Sequence, residues 1–393
     1  MYDCIVIGAG PAGLMSAITA SKKGRVLLLE KNSKAGVKLL LTGGGRCNVT
    51  NLKNVNEFLV EVDYNNKYLY SALSKFGPYE IVDYFINRGV FLKEENDNRM
   101  FPKSNKAIDI LNALLSDLNN VEVKYDEAVN KLECDDLNTV ITTKNVYKAK
   151  CVVIATGGVS YKQTGSSGDH LEFAKGLKQP IKSVFPAEVG VILKEKNDLA
   201  GTAIDFVNVY FDDKRTSGNL MFTHNGLSGE SIMKMSEHIY KGNNKFIEID
   251  FFPNLSDNEL LNSLESWNRD KELVSWLNNY FTKRFSTYLI DNYFVNRKVK
   301  QMTKNDKTLL IKKLRKFAYE VDNVVSIDRA YVTGGGIDLD FINSSTMESK
   351  INKGIYFVGE ALDIHGPIGG YNIILALSTG HLAGSSISEK IEF

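Results

Sequence analysis

Three glycines and one glutamate near the amino terminus have the types and spacing of a nucleotide-binding site. Gly8, Gly10 and Gly13 lie in the run GAGPAG, and Glu30 follows Gly8 by 22 residues. A turn at Gly8, a missing Cβ at Gly10 and close helix packing at Gly13 let the backbone approach a diphosphate. A carboxylate at position 30 accepts hydrogen bonds from ribose hydroxyls and repels a 2′-phosphate. These residues predict a dinucleotide site.

A strand, a turn and a helix must position these residues. Cys4 to Ile7 is a short apolar run before the glycines, and a helix-like segment extends from them to about Gly24. Val26 to Leu29 is a second apolar strand that ends at Glu30. The N–H groups at the helix start would face an anion. The glycine motif alone is weak evidence and does not separate FAD from NAD, but its flanking elements are those it requires.

Three consecutive glycines form a second unusual loop. Gly43 to Gly45 follow Thr42 and precede Arg46, Cys47 and Asn48. Such a backbone can come close to a flat or phosphorylated ligand. The alternative is a flexible surface turn, but the donors on Arg46 and Asn48 favour a ligand site.

The bulk composition is that of an ordinary soluble globular protein with two or three domains. The chain has 393 residues, of which 43% are hydrophobic and 24% charged. A formal net charge of +1 gives no global reason to expect nucleic acid or an acidic membrane as a partner. No apolar run approaches the roughly 20 residues that span a bilayer, and the amino terminus lacks signal-peptide features. We therefore expect a cytoplasmic protein without a membrane partner.

The cysteine pattern excludes two kinds of site. Cys4, Cys47, Cys134 and Cys151 are widely scattered, and no two have the CxxC spacing. Scattered cysteines indicate a reducing compartment, and they predict neither a structural metal site nor a dithiol that passes electrons to a disulfide.

The first 187 residues continue with alternating helices and strands. Apolar spacing predicts helices over 68–76, 80–87 and 107–118, with extended segments over 89–92 and 99–102. Four short strands between 121 and 149 predict a small antiparallel meander. A buried strand over 150–155 then ends at Thr156-Gly157-Gly158.

A different domain begins near residue 188. Strand-like alternation over 189–193, 206–211, 219–223 and 246–252 predicts a sheet or partial barrel. The glycine-free stretch 255–317 predicts a small helical subdomain, with nine basic residues between 297 and 316. Such a run is usually a solvated helix face, and the sharper alternative is a surface for RNA or an anionic substrate. We expect three domains: 1–187 with 331–393, 188–254 with 318–330, and 255–317.

The carboxyl-terminal segment returns to the nucleotide domain. Gly354 to Gly359 is a strand that ends at Glu360, and Gly369-Gly370-Tyr371-Asn372 opens the last helix, which starts at Ile373. The predicted fold class is therefore α/β, with a Rossmann-like dinucleotide domain, a β-rich partial barrel as substrate domain and a small helical subdomain.

The ordered motifs resemble the HI0933-like family of bacterial flavoproteins, which includes aminoacetone oxidases and bile-acid reductases. They extend over nearly the whole chain: GAGPAG, TGGGRCNVTN, NRMFP, ATGGVSY with TGSSG, FTHNGLSG, VTGGG, YFVGEALD and GGYN. Two positions depart from the family pattern. Glu230 stands where relatives commonly have proline, and Ile368 where a small polar residue is usual.

The resemblance implies bound FAD, with both ends of the chain contributing to its site. It implies that the strand before Glu360 contacts the ribityl chain and that the last helix starts at the pyrimidine edge of the flavin, where its dipole would stabilise the charge of the reduced ring. The implied cofactor-binding residues are Gly8, Gly10, Pro11, Ala12, Gly13, Glu30, Lys31, Thr42, Gly43, Gly44, Gly45, Arg46, Cys47, Asn48, Ala128, Val129, Thr156, Gly157, Gly158, Gly359, Glu360, Gly369, Gly370, Tyr371, Asn372 and Ile373.

Bound FAD makes hydride transfer the expected reaction. The chain has no second GxGxxG motif, so either NADH or NADPH docks transiently as reductant, or oxygen or another acceptor reoxidises the flavin. Candidate proton-handling residues are His224, His365, Tyr371 and Tyr161, although a structural role is equally expected for each histidine. Cys47 has no partner cysteine, so packing is its first interpretation.

Three functions remain open. The leading hypothesis is an FAD-dependent oxidoreductase that oxidises an amine or reduces a polarised C=C bond of a small organic substrate. The second is an RNA-associated flavoprotein that uses the basic 297–316 helix, and the third is a flavin-binding regulator without turnover.

Overall fold

The computed structural model describes residues 1–62, 64–135 and 137–391. The chain divides into two compact units. The first unit is Met1–Phe185 with Ile327–Phe393, and the second is Pro186–Ser326. The helices predicted over 255–317 lie in the second unit together with the barrel.

A seven-stranded sheet forms the centre of the first unit. Its strands are β1 (Tyr2–Ile7), β2 (Val26–Leu29), β6 (Val121–Lys124), β7 (Val129–Glu133), β8 (Asn138–Thr142), β9 (Val146–Ile154) and β18 (Ile355–Phe357). Their order is β6-β2-β1-β9-β8-β7, and β18 also pairs with β9. The pairs β6/β2, β2/β1, β1/β9 and β9/β18 are parallel, whereas β7/β8 and β8/β9 are antiparallel.

Two predictions for this sheet are wrong in detail. Val121–Lys124 pairs in parallel with β2, so it belongs to the central sheet and not to the meander. Val146–Ile154 is one continuous strand, in which the sequence predicts two. Apolar alternation reports which face of a strand is buried, but it does not report the direction or identity of the neighbouring strand.

Seven α-helices belong to the first unit within the described residues, and the first and last of them pack closely together. Gly380 and Gly384 of the last helix lie against the first helix, where a Cβ on either would be 2.3 Å from the Ala12 oxygen or 1.9 Å from Thr19 Oγ1. These glycines let α1 and α12 pack closely. The helices of this unit are α1 (Pro11–Ala20), α2 (Val55–Glu61), α3 (Tyr70–Lys75), α4 (Pro78–Ile86), α5 (Ala107–Ser116), α6 (Asp169–Gly176) and α12 (Tyr371–Ile391).

Two small sheets complete the first unit. An antiparallel sheet contains β3 (Thr50–Asn51), β5 (Arg99–Pro102) and β4 (Leu92–Glu95), and a two-stranded ribbon contains β10 (Ile181–Ala187) and β17 (Val332–Ile337).

The second unit contains a closed six-stranded barrel, so the predicted partial barrel is complete. The elements of this unit are β11 (Val191–Leu193), β12 (Ala203–Phe211), β13 (Lys214–Phe222), β14 (Gly226–Ser228), α7 (Glu230–Lys241), β15 (Phe246–Asp250), α8 (Asp257–Ser266), α9 (Leu273–Leu277), α10 (Lys283–Tyr293), α11 (Lys304–Arg315) and β16 (Phe317–Val324). The order of the barrel strands is β11-β14-β13-β12-β15-β16, and the paired strands are antiparallel. The strands predicted from the sequence do not include the short strand β14 or the closing strand β16.

The described residues contain neither a membrane-spanning helix nor a cluster of metal-binding side chains. None of their helices is long and apolar enough to cross a membrane. No group of three or more histidine, cysteine, aspartate or glutamate side chains is arranged to hold a metal ion in that part of the chain.

Candidate functional site

A cleft lies at the carboxyl edge of the central sheet. Gly8 directly follows β1, Glu30 directly follows β2, and Thr156 lies two positions after the end of β9; all three line the cleft. The carboxyl ends of parallel strands meet at one edge, which is where open α/β sheets bind ligands. The parallel pairing of β2, β1 and β9 therefore brings together three sequence segments that lie far apart.

The three glycines of the first turn serve three different purposes. Gly8 has φ +98°, and a Cβ there would lie 2.6 Å from the Ala155 oxygen. A Cβ on Gly13 would lie 1.9 Å from the Gly8 oxygen, so only glycine lets α1 pack on the turn. Gly10 lines the cleft, and a Cβ there would meet nothing within 4 Å. The open space beside Gly10 is a cradle that a ligand can fill.

The start of α1 is suited to an anion. Gly10 is the residue before the helix, Pro11 is its first residue, and no side chain caps its first turn within the described part of the chain. The first backbone N–H groups of a helix have no partner inside it, and the helix dipole makes this end positive. The cleft thus offers a diphosphate its donors at the predicted position.

Glu30 keeps acceptor capacity for a ligand. Its side chain is buried, with Oε2 accepting from the Ala9 N–H at 2.8 Å and Oε1 accepting from the Asn32 N–H at 2.8 Å. A carboxylate has about four acceptor positions, so two remain. These two positions can accept hydrogen bonds from hydroxyl groups, and the ribose-binding role of Glu30 stays a prediction.

A second buried carboxylate, missed by the sequence analysis, lines the cleft near Val129. Glu127 accepts hydrogen bonds from Thr142 Oγ1 at 2.7 Å, Tyr147 Oη at 2.9 Å and Asn145 Nδ2 at 3.2 Å. Burial opposes ionisation of Glu127, but these three donors outweigh it and lower the pKa. No local motif marks Glu127, because its partners come from β8, the β8–β9 turn and β9. Ala128, the next residue in the sequence, is a predicted cofactor-binding residue, but it does not line the cleft.

The turn after β9 leaves one polar atom in need of a partner. Thr156 Oγ1 is buried without a hydrogen-bond partner in the described residues, and Thr156 lines the cleft with Gly157. A buried hydroxyl without a partner costs roughly 1–3 kcal/mol. Gly158, by contrast, has a packing role, since a Cβ there would lie 2.3 Å from Thr333 Oγ1.

A polar cluster joins four separate segments at the cleft. Lys38 Nζ donates to Glu360 Oε2 at 2.6 Å and to Ser160 Oγ at 2.7 Å, while Ser160 Oγ donates to Glu360 Oε1 at 3.0 Å. The Thr333 N–H donates to Glu360 Oε1 at 2.9 Å. Glu360 is among the cofactor-binding residues that the sequence predicts, and Lys38, Ser160 and Thr333 are not. We call these four residues the Lys38 cluster.

The triple-glycine loop lies mostly away from the cleft lining. Leu39–Gly45 forms a kinked 3₁₀ helix, and only Thr42 of the predicted residues 42–48 lines the cleft. Arg46 donates to Glu95 at 2.9 Å and lies over the Phe101 ring. Cys47 is fully buried, and this burial raises its pKa to about 12. Asn48 is buried beside Gly370. The binding roles of Gly43–Gly45, Arg46, Cys47 and Asn48 stay predictions.

The remaining predicted cofactor residues divide into two groups. Pro11, Ala12, Lys31, Asn372 and Ile373 line the cleft. Gly359, Gly369, Gly370 and Tyr371 do not, although Gly359 packs so closely that a Cβ there would lie 2.9 Å from the Ala12 Cβ. The first turn of α12 thus reaches the cleft through Asn372 and Ile373.

None of the candidate proton-handling residues lines the cleft. His224 is exposed between β13 and β14 of the second unit. His365 is buried in the first unit, with its ring 4.7 Å from the Tyr64 ring and 5.7 Å from the Phe185 ring. Tyr371 is buried, and its hydroxyl accepts from Lys53 Nζ at 2.8 Å. Tyr161 has φ +55°. Their catalytic roles stay predictions.

These features fit a dinucleotide cofactor. One cleft contains the cradle beside Gly10, the start of α1 and the spare acceptors of Glu30. It also contains the Thr156 hydroxyl, which has no hydrogen-bond partner among the residues that the structure describes. FAD offers a diphosphate and hydroxyl groups to donors and acceptors of these kinds.

Solved structures share this fold. An open-conformation flavocytochrome c3 fumarate reductase aligns with 99% of this chain and 78% of its own, at 16% identity and a TM-score of 0.55. A 3-ketosteroid-Δ4-(5α)-dehydrogenase from Rhodococcus jostii RHA1 aligns with 98% of this chain and 96% of its own, at 13% identity and a TM-score of 0.52. At such low identity these likenesses show the fold alone.

Sequence relatives match over nearly the full length. A ribosomal RNA dihydrouridine synthase from Escherichia coli K12 is 30% identical over 96% of both chains. A 3-dehydro-bile acid delta(4,6)-reductase from Clostridium scindens is 27% identical over 98% of both chains.

The family model described as the HI0933-like protein Rossmann domain matches residues 2–386. The family resemblance and the fold class inferred from the motifs are therefore confirmed. The chain belongs to the HI0933-like family of FAD-dependent oxidoreductases.

Proposed function

We propose that this protein reduces a C=C bond conjugated to a carbonyl group, and that its substrate is uridine in ribosomal RNA. The carrying observation is the 30% identity to a ribosomal RNA dihydrouridine synthase over 96% of both chains. The bile-acid relative is named for reduction of ring double bonds in a 3-oxo compound. Both names describe reduction of a C=C bond that is conjugated to a carbonyl group. This agreement supports C=C reduction over amine oxidation as the proposed reaction.

Residues of the cleft would hold FAD, which supplies an electron pair as hydride when bound. Gly10 and the start of α1 would take the diphosphate, and Glu30 would accept from the ribose hydroxyls. Asn372 and Ile373 place the start of α12, a 21-residue helix, at the cleft. The positive end of that helix would stabilise negative charge next to it. The reaction needs a two-electron donor, for which we propose NADH or NADPH docking transiently.

The proposed reaction can be tested with purified holoprotein. We expect anaerobic incubation with NADH or NADPH and an unmodified ribosomal RNA transcript to form dihydrouridine, detected by mass spectrometry after nuclease digestion. Gly10→Val, which fills the cradle, is the matched variant and should form none. A flavin that is reduced by NADH or NADPH, with no dihydrouridine formed in any transcript, would contradict the RNA substrate. In that case, reduction of a steroid dienone by the same holoprotein would favour a substrate like that of the bile-acid reductase.

An RNA substrate also needs a surface for phosphates, and the structure corrects the predicted basic segment. Only Lys304–Arg315 of residues 297–316 is an α-helix, and four basic residues of the segment form ion pairs. Arg297 pairs with Asp306, Lys300 with Asp270, Lys307 with Glu265, and Arg315 with Asp250 and Asp257. These four cations already have carboxylate partners in the same unit, so we do not assign them to RNA binding.

The end of α11 retains unpaired cations. Lys312, Lys313 and Lys316 are exposed, and none has a carboxylate within 4 Å among the described residues. Lys313 Nζ lies 5.7 Å from the centre of the Tyr293 ring, which is 37% exposed. Lysines beside an accessible aromatic ring are suited to phosphates and an unpaired base. We propose these three lysines, the α11 patch, as part of the RNA-binding surface.

Charge reversal tests the α11 patch. We expect Lys312→Glu/Lys313→Glu/Lys316→Glu to weaken ribosomal RNA binding and to reduce the slope of log affinity against log salt by about 2, since each phosphate contact contributes roughly 0.7–0.9. The control is reversal of Lys196, Lys271 and Lys283, which are exposed in the same unit. Equal slopes for the two triple variants would contradict a role of the patch.

A further inference from the structure

The Lys38 cluster places a lysine–glutamate ion pair in the cleft. Lys38 and Glu360 both line the cleft, and their side chains are only 26% and 19% exposed. Taking two charges out of water costs several kcal/mol for each ion unless they are paired and fully hydrogen-bonded. Such a pair is an expensive way to stabilise a fold, so its position beside the cleft needs another explanation.

The hydrogen bonds of Glu360 are nearly complete. Oε1 accepts from Ser160 Oγ and from the Thr333 N–H, and Oε2 accepts from Lys38 Nζ. Burial opposes ionisation of this carboxyl, but the Lys38 charge and the bonds from Lys38, Thr333 and Ser160 outweigh it and lower the pKa. Glu360 is therefore a fixed negative charge at neutral pH. Any negative charge brought into the cleft would be repelled by it if Lys38 were absent.

The fold holds this arrangement rigidly. Thr333 Oγ1 accepts from the N–H groups of Val159 and Ser160, at 2.9 and 3.2 Å. A Cβ on Gly158 would lie 2.3 Å from Thr333 Oγ1 and 3.0 Å from Glu360 Cδ, so only glycine leaves room for the cluster. The ribbon strand β17 and the turn after β9 thus fix the carboxylate from two sides.

Lys38 has one more donor than the cluster uses. An ammonium carries three N–H groups, and the described residues accept two of them, at Glu360 and at Ser160. We propose that Lys38 is a positioning residue for the cofactor: it neutralises Glu360 and directs its third N–H to an anionic group of the bound dinucleotide. That group is the permanently charged diphosphate or the flavin ring after reduction. The proposal rests on bound FAD and is independent of the RNA substrate.

The test uses holoprotein and two readouts that need no substrate. FAD release is followed by the rise of its fluorescence on dilution, and the two-electron midpoint potential is measured by anaerobic reductive titration. In Lys38→Met we expect at least a tenfold faster release if the diphosphate is the partner. If the reduced ring is the partner, a tenfold weaker binding of reduced flavin lowers the potential by about 30 mV. Either change supports the proposal.

Two further variants separate neutralisation from loss of packing. Lys38→Arg keeps the charge and should retain most of the wild-type behaviour. Lys38→Met/Glu360→Gln removes both charges and should recover at least half of the change seen in Lys38→Met. A double variant as impaired as Lys38→Met would overturn the neutralising role.

The matched control breaks a similar ion pair outside the cleft. Lys182 pairs with Asp338 at 2.9 Å in the same unit, and neither residue lines the cleft. Lys182→Met should leave both readouts unchanged. If Lys38→Met behaves like Lys182→Met in FAD release and in potential, the proposal is wrong. If the Lys38 variants change FAD release or the midpoint potential as expected but no dihydrouridine is formed, only the proposed RNA substrate is rejected, and the role of Lys38 stands.

Discussion

The cleft and the α11 patch use lysine in opposite ways. Lys38 lies in the cleft, donates to two oxygens of the protein and is 26% exposed. Lys312, Lys313 and Lys316 are exposed, and they have no carboxylate partner among the residues that the structure describes. In the first unit the lysine side chain is held by hydrogen bonds to protein oxygens, whereas in the second unit the three lysine side chains are exposed to solvent.

This difference matches the ligand that each region would bind. A small cofactor must be held in one orientation, and a fixed charge in a partly buried site acts strongly because little water screens it. A polyanion needs only a density of positive charge, which acts through counterion release and weakens with salt. We therefore expect changes in the cleft to affect folding and cofactor together, and changes in the patch to affect binding alone.

We expect the largest loss of stability when one methyl group is added at Gly13, where α1 packs on the glycine turn. Gly13→Ala places a Cβ 1.9 Å from the backbone oxygen of Gly8, which cannot move without shifting the turn. We expect a loss of about 3–5 kcal/mol in the free energy of unfolding, at or above the upper range for overpacking. Urea unfolding followed by circular dichroism measures it.

A side-chain truncation on α11 provides the comparison for Gly13→Ala. Leu309→Ala on the exposed face of α11 should cost less than about 1 kcal/mol, since Leu309 is 55% exposed. A Gly13→Ala variant as stable as Leu309→Ala would show that the first turn is more adaptable than its close packing indicates.

Acid should destabilise the first unit through a buried histidine. His170 is fully buried, neither ring nitrogen has a partner in the described residues, and burial lowers its pKa to about 4 from 6.5, against the smaller opposing effects of Glu360 and Asp169. Below pH 6.5 the unfolded chain binds a proton that the folded chain does not. Stability present at neutral pH is therefore lost as the pH falls from 6.5 to 4, by up to about 3 kcal/mol.

Removing the imidazole checks this assignment. In His170→Leu the unfolding free energy should fall less between pH 7 and pH 4 than in the wild type, by up to about the same 3 kcal/mol. An unchanged pH dependence would mean that another group is responsible, and His381, whose pKa burial also lowers to about 4, is the next to substitute.

We expect substitution of two cations on the same helix, Arg315 and Lys312, to change the free energy of unfolding by different amounts. Arg315→Met leaves the buried Asp250 carboxylate without its guanidinium partner at 3.1 Å, which should cost about 2 kcal/mol. Lys312→Met removes an exposed charge and should change stability by less than about 0.5 kcal/mol. Thermal unfolding of the two variants measures the difference, and equal values would contradict the division of the basic segment into structural and free cations.

The parts of the molecule that could be predicted from the sequence are those whose cause is local. The strand, turn and helix around Gly8, Gly10 and Gly13 follow from neighbouring residues. The structure gives Gly8 and Gly13 a steric reason, whereas Gly10 borders open space in the cleft. Glu30 follows from its distance along the chain, because the end of β2 lies beside the end of β1.

The Lys38 cluster could not be predicted in this way. Its members come from residues 38, 160, 333 and 360, and only the fold brings them within hydrogen-bond distance. The same limit explains the error at Val121–Lys124, since strand pairing depends on residues almost a hundred positions away. Charge runs are also ambiguous, because sequence does not show that Arg315 faces Asp250 while Lys312 faces solvent.

The continuity of β9 connects two parts of the cleft lining. Its first residues pair with β8 of the hairpin that carries Val129, and its last residues lead into Thr156. Nine residues of strand measure about 30 Å, so the length of β9 sets the spacing between the hairpin and the Thr156 turn. Deleting one residue from the middle of this strand would turn the side chains at one end to the opposite face of the sheet relative to those at the other end.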